Sequence, residues 1–567
     1  MSNKELADIF YTIADILDIE GVKWKPIAYR KAALSISTLS GDISEYYKGG
    51  KLDKIEGVGE GLGKKIIEYI KTGKVSKYEE LRKKYPIDFN SLRQVRGLGP
   101  KKIYYLYKSL GIKNLDDLKR AISEHKLRDL EGFGEKTETN LSEALGSAVE
   151  STEKRVPLGF MLDNAEKIVS DLSKSGLFKK VQIAGSTRRM RETVGDLDIL
   201  ASSDKPEEGM KFFSKMGEVS KVLVSGPTKT SVELKIGLNC DFRVVPDESF
   251  GSALQYFTGN KEHNIKLRKI AILKGLKLNE YGIFKGKKKV AGESEEGVYS
   301  YLGLDYMPPE MREDTGEIEA AQSHTLPKIV NYNEILGDLH THTNDSDGAD
   351  SLEEMVSEAR RLGLKYIAIT NHSYSLRVSR GLDDKRFESI NKKIDSLNGK
   401  DGIKILKGVE LEILKDGSLD LSSNTLSKMD FIIGAMHQSI SRDRKENTDR
   451  LIKAIESGKL STIAHPTGRI IGERPPIDLD LDRIFEACER NGVMLEINGY
   501  PTRSDLPFDL VRKASNYRIK FSLGSDAHRL AQLRFIRLAA AIARRGWLTK
   551  NNVINTYSYE QITKLKR

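Results

Sequence analysis

The sequence predicts a multidomain fold, with an α-helical N-terminal region, an α+β middle region and a C-terminal barrel of βα units. Gly-x-Gly turns that open helix-like segments recur in the first 150 residues. Two carboxylates alternate with apolar residues in a strand-like segment of the middle region. After residue 336, short apolar runs alternate with amphipathic segments and lead into histidines or carboxylates. A chain of 567 residues is long enough to hold several such domains.

The composition narrows the classes of protein. Hydrophobic residues make up 38% of the chain, and no apolar stretch approaches the length of a membrane span. The N-terminal segment does not resemble a signal peptide, and Cys240 and Cys488 are too few for a disulfide framework, so we expect a cytoplasmic protein. The net charge of +11 permits a polyanionic partner. No oligomerisation signal is visible, and a monomer is expected.

The C-terminal half contains the motifs most typical of a metal site. Six of the nine histidines fall in short motifs there, several directly after strand-like runs, which is where a βα barrel places its chemistry. Imidazole and carboxylate together suit Zn, Mn or Fe rather than Ca or Mg alone. The candidate ligands are His340, His342, Asp347, His372, Glu410, His437, His465, Asp526 and His528. Nine ligands are more than one ion needs, so the pattern predicts a metal cluster that clamps a phosphate and activates water, as in a phosphoesterase.

These motifs resemble the PHP (polymerase and histidinol phosphatase) domain over residues 336–567. The resemblance implies a distorted (β/α)7-type barrel that holds two or three Mn²⁺, Zn²⁺ or Fe²⁺ ions through the nine candidate ligands. The chain departs from the family where the usual Thr-Asp-His reads Thr-Asn371-His372. An amide keeps an acceptor oxygen but loses the carboxylate charge, which would weaken one metal position.

Glycine hairpins organise the first region. Two good copies and a third, weaker one around Gly132 and Gly134 each form a tight turn that opens a helix. Glycine lets the backbone approach a phosphate, and a helix N-terminus offers it free N–H groups. The pattern resembles the helix-hairpin-helix, a sequence-independent clamp on the DNA backbone. The residues expected to contact DNA are Gly57, Gly59, Gly61, Lys64, Lys65, Gly97, Gly99, Lys101 and Lys102.

The segment 27–33 resembles the small lyase domain of DNA polymerase beta. In that family a lysine near the first hairpin forms a Schiff base with a 5′ deoxyribose phosphate, and Lys65 falls at that position. Gly61 and Pro26 stand where the family has basic residues. The resemblance therefore leaves two roles open for Lys65, a Schiff-base nucleophile or a plain phosphate contact, and the second is favoured.

The middle region contains a carboxylate triad. Asp196 and Asp198 alternate with Leu197 and Ile199, so both carboxylates share one face of a strand, and Asp241 opens a second strand. Three carboxylates with open coordination are what paired Mg²⁺ or Mn²⁺ ions need to bind a triphosphate and activate a hydroxyl. The residues expected to cradle the phosphates are Gly185, Ser186, Arg189 and Gly195.

Together these motifs resemble the nucleotidyltransferase palm of family X DNA polymerases, and the next segment resembles that family's thumb-like region. In that family a Tyr-Phe-Thr-Gly segment blocks a 2′-hydroxyl, and an Asn and an Arg on the following helix contact nucleotide and template. These positions fall on Tyr256, Phe257, Gly259, Asn264 and Arg268, with Asn260 in place of the usual Ser. His263 is expected to be structural.

The resemblances predict a bifunctional DNA repair enzyme that acts on gapped or primed DNA and deoxynucleoside triphosphates. They imply a polymerase half that fills short gaps and a metal-dependent 3′–5′ exonuclease, abasic-site or 3′-end phosphoesterase half. Three alternatives stay open, namely a structural PHP domain, a DNA-binding scaffold and a transferase for a small alcohol. The expected domains are 1–85 (lyase-like), 86–150 (helix-hairpin-helix), 151–245 (palm), 246–318 (thumb-like), 319–335 (linker) and 336–567 (PHP).

Overall fold

The structure, a computed structural model, describes residues 3–37, 43–50, 52, 55, 57–93, 95, 98–135, 137–139, 141, 155–398, 402–440 and 443–565. Contacts divide the chain into two compact units, residues 1–155 and 156–567. Gly97, one of the glycines expected to contact DNA, lies outside the described residues. Within the described ranges, every helix is too short or too polar to cross a membrane.

The first unit is helical and has its own apolar core, which includes Phe10, Tyr69, Phe89 and Phe133. Its helices begin and end at residues that suit those positions; for example, one helix starts after Gly59 and ends at Gly73, whose φ of 70° closes the last turn. The helices are Asn3–Ile19, Lys25–Ser37, Ile43–Lys48, Glu60–Thr72, Ser76–Lys84, Phe89–Leu92, Pro100–Leu110 and Leu115–Ser123.

The second unit begins with an α+β subdomain. Its five-stranded sheet has the order β2-β4-β7-β6-β5, with β4 parallel to β7 and the other pairs antiparallel. A short pair, β1 with β3, lies outside this sheet. The strands are β1 Val156–Pro157, β2 Lys180–Ile183, β3 Thr193–Val194, β4 Asp196–Ser202, β5 Val219–Ser225, β6 Lys229–Leu234 and β7 Asn239–Val245, and the helices are Leu162–Lys174, Gly185–Arg188 and Pro206–Ser214.

A smaller subdomain follows, with a three-stranded antiparallel sheet of order β10-β9-β8 packed on helices. Its strands are β8 Lys277–Asn279, β9 Gly282–Lys285 and β10 Lys288–Ala291, and its helices are Phe250–Thr258, Lys261–Leu273, Glu295–Tyr301 and Glu317–Gln322. His263 is fully buried here and bonds Glu317 through Nδ1 at 2.7 Å and the Tyr299 hydroxyl through Nε2 at 3.0 Å. Both ring nitrogens are therefore used within the fold, as expected of a structural histidine.

The C-terminal subdomain is a barrel of seven parallel strands in sequential order. The first and last strands meet through a parallel bridge between Thr341 and Ala527, which nearly closes the barrel. The strands are β11 Gly337–Thr341, β12 Tyr366–Ile369, β13 Lys404–Glu412, β14 Phe431–Ala435, β15 Thr462–Ile463, β16 Met494–Asn498 and β17 Phe521–Gly524. The helices are Leu352–Arg361, Asp384–Leu397, Ser423–Leu426, Arg444–Glu456, Leu481–Asn491, Phe508–Ala514, Ile536–Arg545 and Tyr559–Thr563. Strands such as β12 and β14 are buried and wholly apolar because helices flank the sheet.

The barrel packs directly against the α+β subdomain. Phe535, Leu538 and Ala541 of the barrel complete the apolar core beneath the five-stranded sheet. Within the expected linker 319–335, Val330 belongs to the barrel core, and the Tyr332 hydroxyl donates to Glu310 Oε1 at 2.8 Å. Residues 156–567 therefore form one body that holds both carboxylate-bearing centres.

Candidate active sites

The nine candidate ligands of the barrel gather at the C-terminal ends of its strands. Residues at these ends converge because parallel strands all finish at the same edge. His340 and Glu410 lie near the ends of β11 and β13, and each of the other ligands follows the end of a strand by six residues or fewer. Asp526 and His465 have φ angles of 55° and 27°, a backbone region that non-glycine residues avoid and that recurs at functional sites.

Glu410 contacts four of the candidate histidine ligands. Its Oε2 lies 3.3 Å from His340 Nε2 and 2.9 Å from His372 Nδ1, and its Oε1 lies 3.3 Å from His437 Nε2 and 2.9 Å from His465 Nε2. The carboxylate is 1% exposed. A buried carboxylate that faces four imidazoles is suited to bridge cations rather than to meet solvent.

Two further carboxylates complete the arrangement. Asp526 Oδ1 lies 3.3 Å from His342 Nε2 and 3.6 Å from His340 Nε2. Asp347 lies on the open side, with Oδ2 3.4 Å from His372 Nε2 and Oδ1 3.4 Å from His528 Nε2. Three overlapping sets of ligand atoms lie within reach of one cation each: His342, Asp347, His372 and His528; His340, His342 and Asp526; and His372, Glu410 and His437.

The donor set fits the metals that the sequence predicts. His340 Nε2, both ring nitrogens of His342 and Glu410 Oε2 are buried. Other candidate ligand atoms lie near them, but none is aligned for a hydrogen bond among the described residues. Such groups are costly to bury unless something binds them. Their convergence on shared centres, with imidazole and carboxylate together, is what a cluster of Zn²⁺, Mn²⁺ or Fe²⁺ requires.

Supporting carboxylates that the sequence analysis did not identify hold the ligands in place. Glu496 Oε1 bonds His340 Nδ1 at 2.6 Å, and its Oε2 accepts from the backbone N–H of His465 at 2.6 Å. Glu412 Oε2 bonds His437 Nδ1 at 2.9 Å. Such partners fix the orientation of a ligating imidazole and raise its basicity. A signal was present, because Glu496 is the one charged residue of β16 and Glu412 lies two residues after Glu410 on β13.

Asn371 supports the ligand shell and does not enter it. Its Oδ1 accepts from the backbone N–H of Thr343 at 2.8 Å and from the Ser346 hydroxyl at 2.9 Å, and its Nδ2 donates to Thr343 Oγ1 at 2.9 Å. The amide therefore holds the turn between His342 and Asp347. An aspartate could keep the two accepted bonds but not the donated one.

The carboxylate triad lies on two adjacent strands of the five-stranded sheet. Asp198 on β4 and Asp241 on β7 are direct partners across the parallel ladder, and Asp196 lies two residues before Asp198 on the same face. Lys229 Nζ lies 2.8 Å from Asp241 Oδ2, and the Ser231 hydroxyl donates to Asp241 Oδ1 at 2.5 Å. The structure thus brings together the three carboxylates that the sequence places 45 residues apart or less.

The charges of the triad favour a bound cation. Burial, together with the charges of Asp196 and Asp241, raises the pKa of Asp198 to about 7. Burial also opposes ionisation of Asp241, but hydrogen bonds from Lys229 and Ser231 lower its pKa below the ordinary value. Ionised carboxylates this close together repel one another, and divalent ions that neutralise them remove this repulsion. The residues therefore fit a pair of Mg²⁺ or Mn²⁺ ions.

The turn after β2 has the geometry expected of a phosphate cradle. Gly185 has a φ of 62°, and a Cβ there would collide with the carboxylate of Asp198. Only glycine therefore allows this turn to lie against the triad. Ser186 follows in the short helix Gly185–Arg188, and Gly195 immediately precedes β4. Gly185 thus lies against the triad, and Gly195 adjoins Asp196 in the chain. Contact of Gly185, Ser186 and Gly195 with a triphosphate stays a prediction.

Two residues expected to bind nucleotide are used within the fold. Arg189 donates to the Thr258 carbonyl through Nη1, and its Nε lies 3.1 Å from Glu313 Oε1. Asn264 donates to the Tyr256 carbonyl at 2.7 Å and accepts from Gln255 Nε2 at 2.6 Å. In this state both side chains hold the segment 256–259 in shape.

Of the other residues predicted to bind nucleotide, Tyr256, Phe257 and Arg268 are partly exposed, whereas Gly259 is buried. The rings of Tyr256 and Phe257 meet edge to face at 5.1 Å, Arg243 stacks on Phe257 at 4.6 Å, and Arg268 is partly exposed on the helix that follows. A direct nucleotide contact of these residues therefore remains a prediction.

The glycine hairpins of the first unit share one local geometry. In each, a backbone N–H bonds the carbonyl three residues earlier: Val58 to Ile55, Leu98 to Val95 and Phe133 to Leu130, at 3.0 to 3.1 Å. The helices after Gly59 and Gly99 begin without a side-chain cap. Apart from Pro100, which has no N–H, the residues of their first turns therefore offer backbone N–H groups to a phosphate.

Lysines surround these helix starts. Lys64 is 74% exposed and forms an exposed ion pair with Glu60 at 2.7 Å, and Lys65 Nζ donates to the Gly61 carbonyl at 3.3 Å. Lys101 and Lys102 are exposed in the first turn after Gly99. Their charges oppose the helix dipole unless an anion is bound, which favours a polyanionic ligand.

The fold and the two centres define a class of protein, an enzyme of phosphoryl transfer with a carboxylate-triad sheet and a multi-metal barrel. Residues 1–75 match the helix-hairpin-helix domain family, and residues 89–147 match the SAM-like helix-hairpin-helix tandem. Residues 253–313 match the DNA polymerase beta thumb, and residues 338–499 match the PHP domain.

The relatives agree with this class. The DNA polymerase/3′-5′ exonuclease PolX of Bacillus subtilis (strain 168) is 36% identical over 571 residues, which cover 99% of each chain. A probable phosphatase of Thermoanaerobacter sp. (strain X514) is 29% identical over 231 residues, 39% of this chain and 89% of that protein. The chain therefore belongs to the family X DNA polymerases with helix-hairpin-helix domains, a polymerase beta thumb and a C-terminal PHP domain. The family and fold class predicted from the sequence are confirmed.

Proposed function

We propose that this enzyme fills short gaps in DNA during repair at the triad and hydrolyses phosphodiesters at DNA 3′ ends in the barrel. The observation that supports the proposal is that two separate clusters of candidate metal ligands, the carboxylate triad and the barrel cluster, lie in one body of a family X polymerase. The name of the Bacillus subtilis relative, which covers the whole chain, includes both polymerase and 3′-5′ exonuclease.

At the triad, Asp196 and Asp198 would hold both metal ions, and Asp241 would hold the ion beside the primer 3′-hydroxyl. When bound, these ions would stabilise the charge on the α-phosphate and favour ionisation of the attacking hydroxyl. Asp241 is oriented for this role by Ser231 and Lys229. Gly185 and Ser186 would receive the triphosphate at the start of a helix, where backbone N–H groups face the anion.

In the barrel, the nine ligands would hold two or three ions, which would supply Lewis-acid stabilisation and activate water. Other residues of the chain hold the ligand side chains in position. Glu496 and Glu412 fix the ring orientations of His340 and His437. Asn371 holds the turn that leads to Asp347. The cavity above the ligands, about 620 Å³, is also lined by Arg377, Arg474 and Arg503, which suits a polyanionic substrate.

The hairpins would bind the DNA backbone without reading sequence, through Gly57, Gly59, Gly99 and the lysines beside them. Lys65 would be a phosphate contact. We further propose the domain order expected from the sequence, with the thumb-like domain extended through the helix Glu317–Gln322 and the PHP domain at 336–567.

The test is a 5′-labelled primer on gapped duplex DNA with Mn²⁺, with and without deoxynucleotides. We expect extension with nucleotides and shortening from the 3′ end without them. Extension with no shortening, on blocked and abasic ends as well, would instead support a structural PHP domain. Blunt or single-stranded DNA serves as the control for gap preference, and equal extension on all substrates would contradict gap filling.

A further inference from the structure

Arg503 lies beside the metal-ligand cluster of the barrel but was not predicted to belong to it. Its Nε lies 3.3 Å from Asp526 Oδ2, and its side chain is 19% exposed in the wall of the cavity that contains Asp347, Glu410 and His528. It follows β16 by five residues, in the loop that leads to the helix Phe508–Ala514. A guanidinium is thus placed at the edge of a site that is expected to hold several cations.

The contacts of Arg503 leave a donor without a partner. Its Nη1 is buried and has no hydrogen-bond partner among the described residues. Asp526 does not need Arg503 for its orientation, because Oδ2 also accepts from Asn498 Nδ2 at 3.1 Å. A fixed positive charge next to bound divalent ions is unfavourable unless an anion lies between them. The arrangement therefore suits a substrate phosphate that accepts from the guanidinium and faces the metals.

The position of Arg503 depends on a second arginine. Arg469, in the segment after His465, donates to the Arg503 carbonyl through Nε at 2.9 Å and to the Ser504 carbonyl through Nη2. The same Nη2 lies 3.0 Å from Glu192 Oε2. Arg469 and Glu192 have side chains only 14% and 20% exposed, so the ion pair is largely shielded from solvent.

Glu192 belongs to the polymerase subdomain and is itself held in place. Its carbonyl accepts from the Leu158 N–H at 2.9 Å, and the preceding residue, Arg191, pairs with Glu313 at 2.8 Å. The polymerase subdomain therefore supports, through one carboxylate, the loop that presents Arg503 to the barrel cavity.

We propose that Arg503 binds the phosphate of the phosphodiester hydrolysed in the barrel, and that Glu192 is a positioning residue that acts on Arg503 through Arg469. The proposal rests on the phosphodiesterase activity proposed above. Through Glu192, the polymerase subdomain would then help to build the substrate site of the nuclease.

The first experiment measures phosphate binding by the full-length protein loaded with Mn²⁺. Inorganic phosphate is titrated calorimetrically, and bis(p-nitrophenyl) phosphate hydrolysis gives kcat and KM. We expect Arg503→Ala to weaken phosphate binding and raise KM roughly 10- to 100-fold, as for loss of a charge-assisted hydrogen bond, with bound metal unchanged. Arg503→Lys should recover part of the affinity, and added guanidinium should partly rescue Arg503→Ala.

Two results would overturn this role. Unchanged phosphate affinity in Arg503→Ala would show that the guanidinium does not contact the anion. Loss of bound metal would show that Arg503 only supports Asp526. Absence of hydrolysis by the wild-type protein would instead contradict the proposed function, and the calorimetric comparison would still decide the role of Arg503.

The second experiment tests Glu192. Glu192→Gln should raise the KM of hydrolysis roughly two- to fivefold, since it weakens a single partly shielded ion pair, and the double variant with Arg469→Gln should be no worse than Arg469→Gln alone. Asp163→Asn is the matched control, because Asp163 pairs with Arg534 at 2.6 Å across the same two subdomains without touching the loop. An equal effect of Asp163→Asn, or additive effects of Glu192→Gln and Arg469→Gln, would overturn the route through Arg469.

Discussion

The two candidate centres of residues 156–567 offer ligands for divalent ions in different ways. The triad uses three carboxylates on two neighbouring strands, and Asp196 at its edge is exposed to solvent. The barrel draws nine ligands from several strand ends, and His340, His342 and Glu410 are almost completely buried. A shallow carboxylate site leaves room for a large nucleotide and a primer end to complete the coordination. A buried site of imidazoles supplies most of the coordination itself and needs supporting carboxylates to hold it.

The two centres lie in one compact unit but have no ligand residue in common. The carboxylates of the barrel cluster pair with histidines of the same cluster and with Arg503. The ion pairs between the subdomains involve other arginines, such as Arg469, Arg544 and Arg545. The largest effects should therefore fall on one activity at a time.

The strongest test of this separation is a pair of single substitutions. Asp198→Asn should reduce primer extension on the order of a thousandfold, because it removes charge from both metal positions, and should leave hydrolysis within about twofold. Asp526→Asn should do the reverse. Extension and 3′ shortening are measured on the same DNA. A single substitution that abolishes both activities in a folded protein would show that the two centres are not independent.

Removal of bound metal should destabilise the barrel more than the sheet that carries the triad. Buried ligands that lose their ions leave unpaired polar groups in the barrel core, whereas the triad is more open to water. We expect chelation to lower barrel stability by about 3–4 kcal/mol, with faster hydrogen exchange in β11 and β17 and little change in β4. Equal loss of protection in β4 would contradict the contrast in burial.

The supporting carboxylates should matter only in the barrel. Glu496→Gln keeps the shape of the side chain but weakens the bond to His340 Nδ1, so we expect roughly a 10- to 100-fold loss of hydrolysis or metal affinity with normal extension. Glu233→Gln is a control for loss of one carboxylate, because Glu233 is half-buried on β6 of the five-stranded sheet. Wild-type hydrolysis in Glu496→Gln would show that His340 needs no such support.

The smallest effect is expected at Asn371. Asn371→Asp restores the residue usual in the family, keeps the two bonds accepted by Oδ1 and loses the one donated by Nδ2. Because the side chain does not reach the ligand centres, metal affinity should change by less than about fivefold. A larger gain in metal content or hydrolysis would mean that the charge at this position acts on the cluster directly.

Local motifs in the sequence are sufficient to predict much of this architecture. The Gly-x-Gly turns, the alternation of Asp196 and Asp198 and the strand-plus-histidine motifs are short-range patterns whose geometry follows from backbone periodicity. Glu412 could also have been predicted as part of the barrel site, because it lies two residues after Glu410 on the same face of β13. Arg189 and Asn264 were less predictable, because their present partners, which include Glu313 and Gln255, depend on how helices pack.

The sequence by itself therefore determined the domain types, the carboxylate triad and the nine barrel ligands as candidates, since each depends on residue type and local spacing. Only the tertiary structure decided which side chains support them. Glu496 reaches His340 across 156 positions of the chain, and Glu192 reaches Arg469 across the boundary between two subdomains. Contacts of that kind arise when strands and helices pack around a shared core, and no short-range pattern in the chain encodes the distance between such partners.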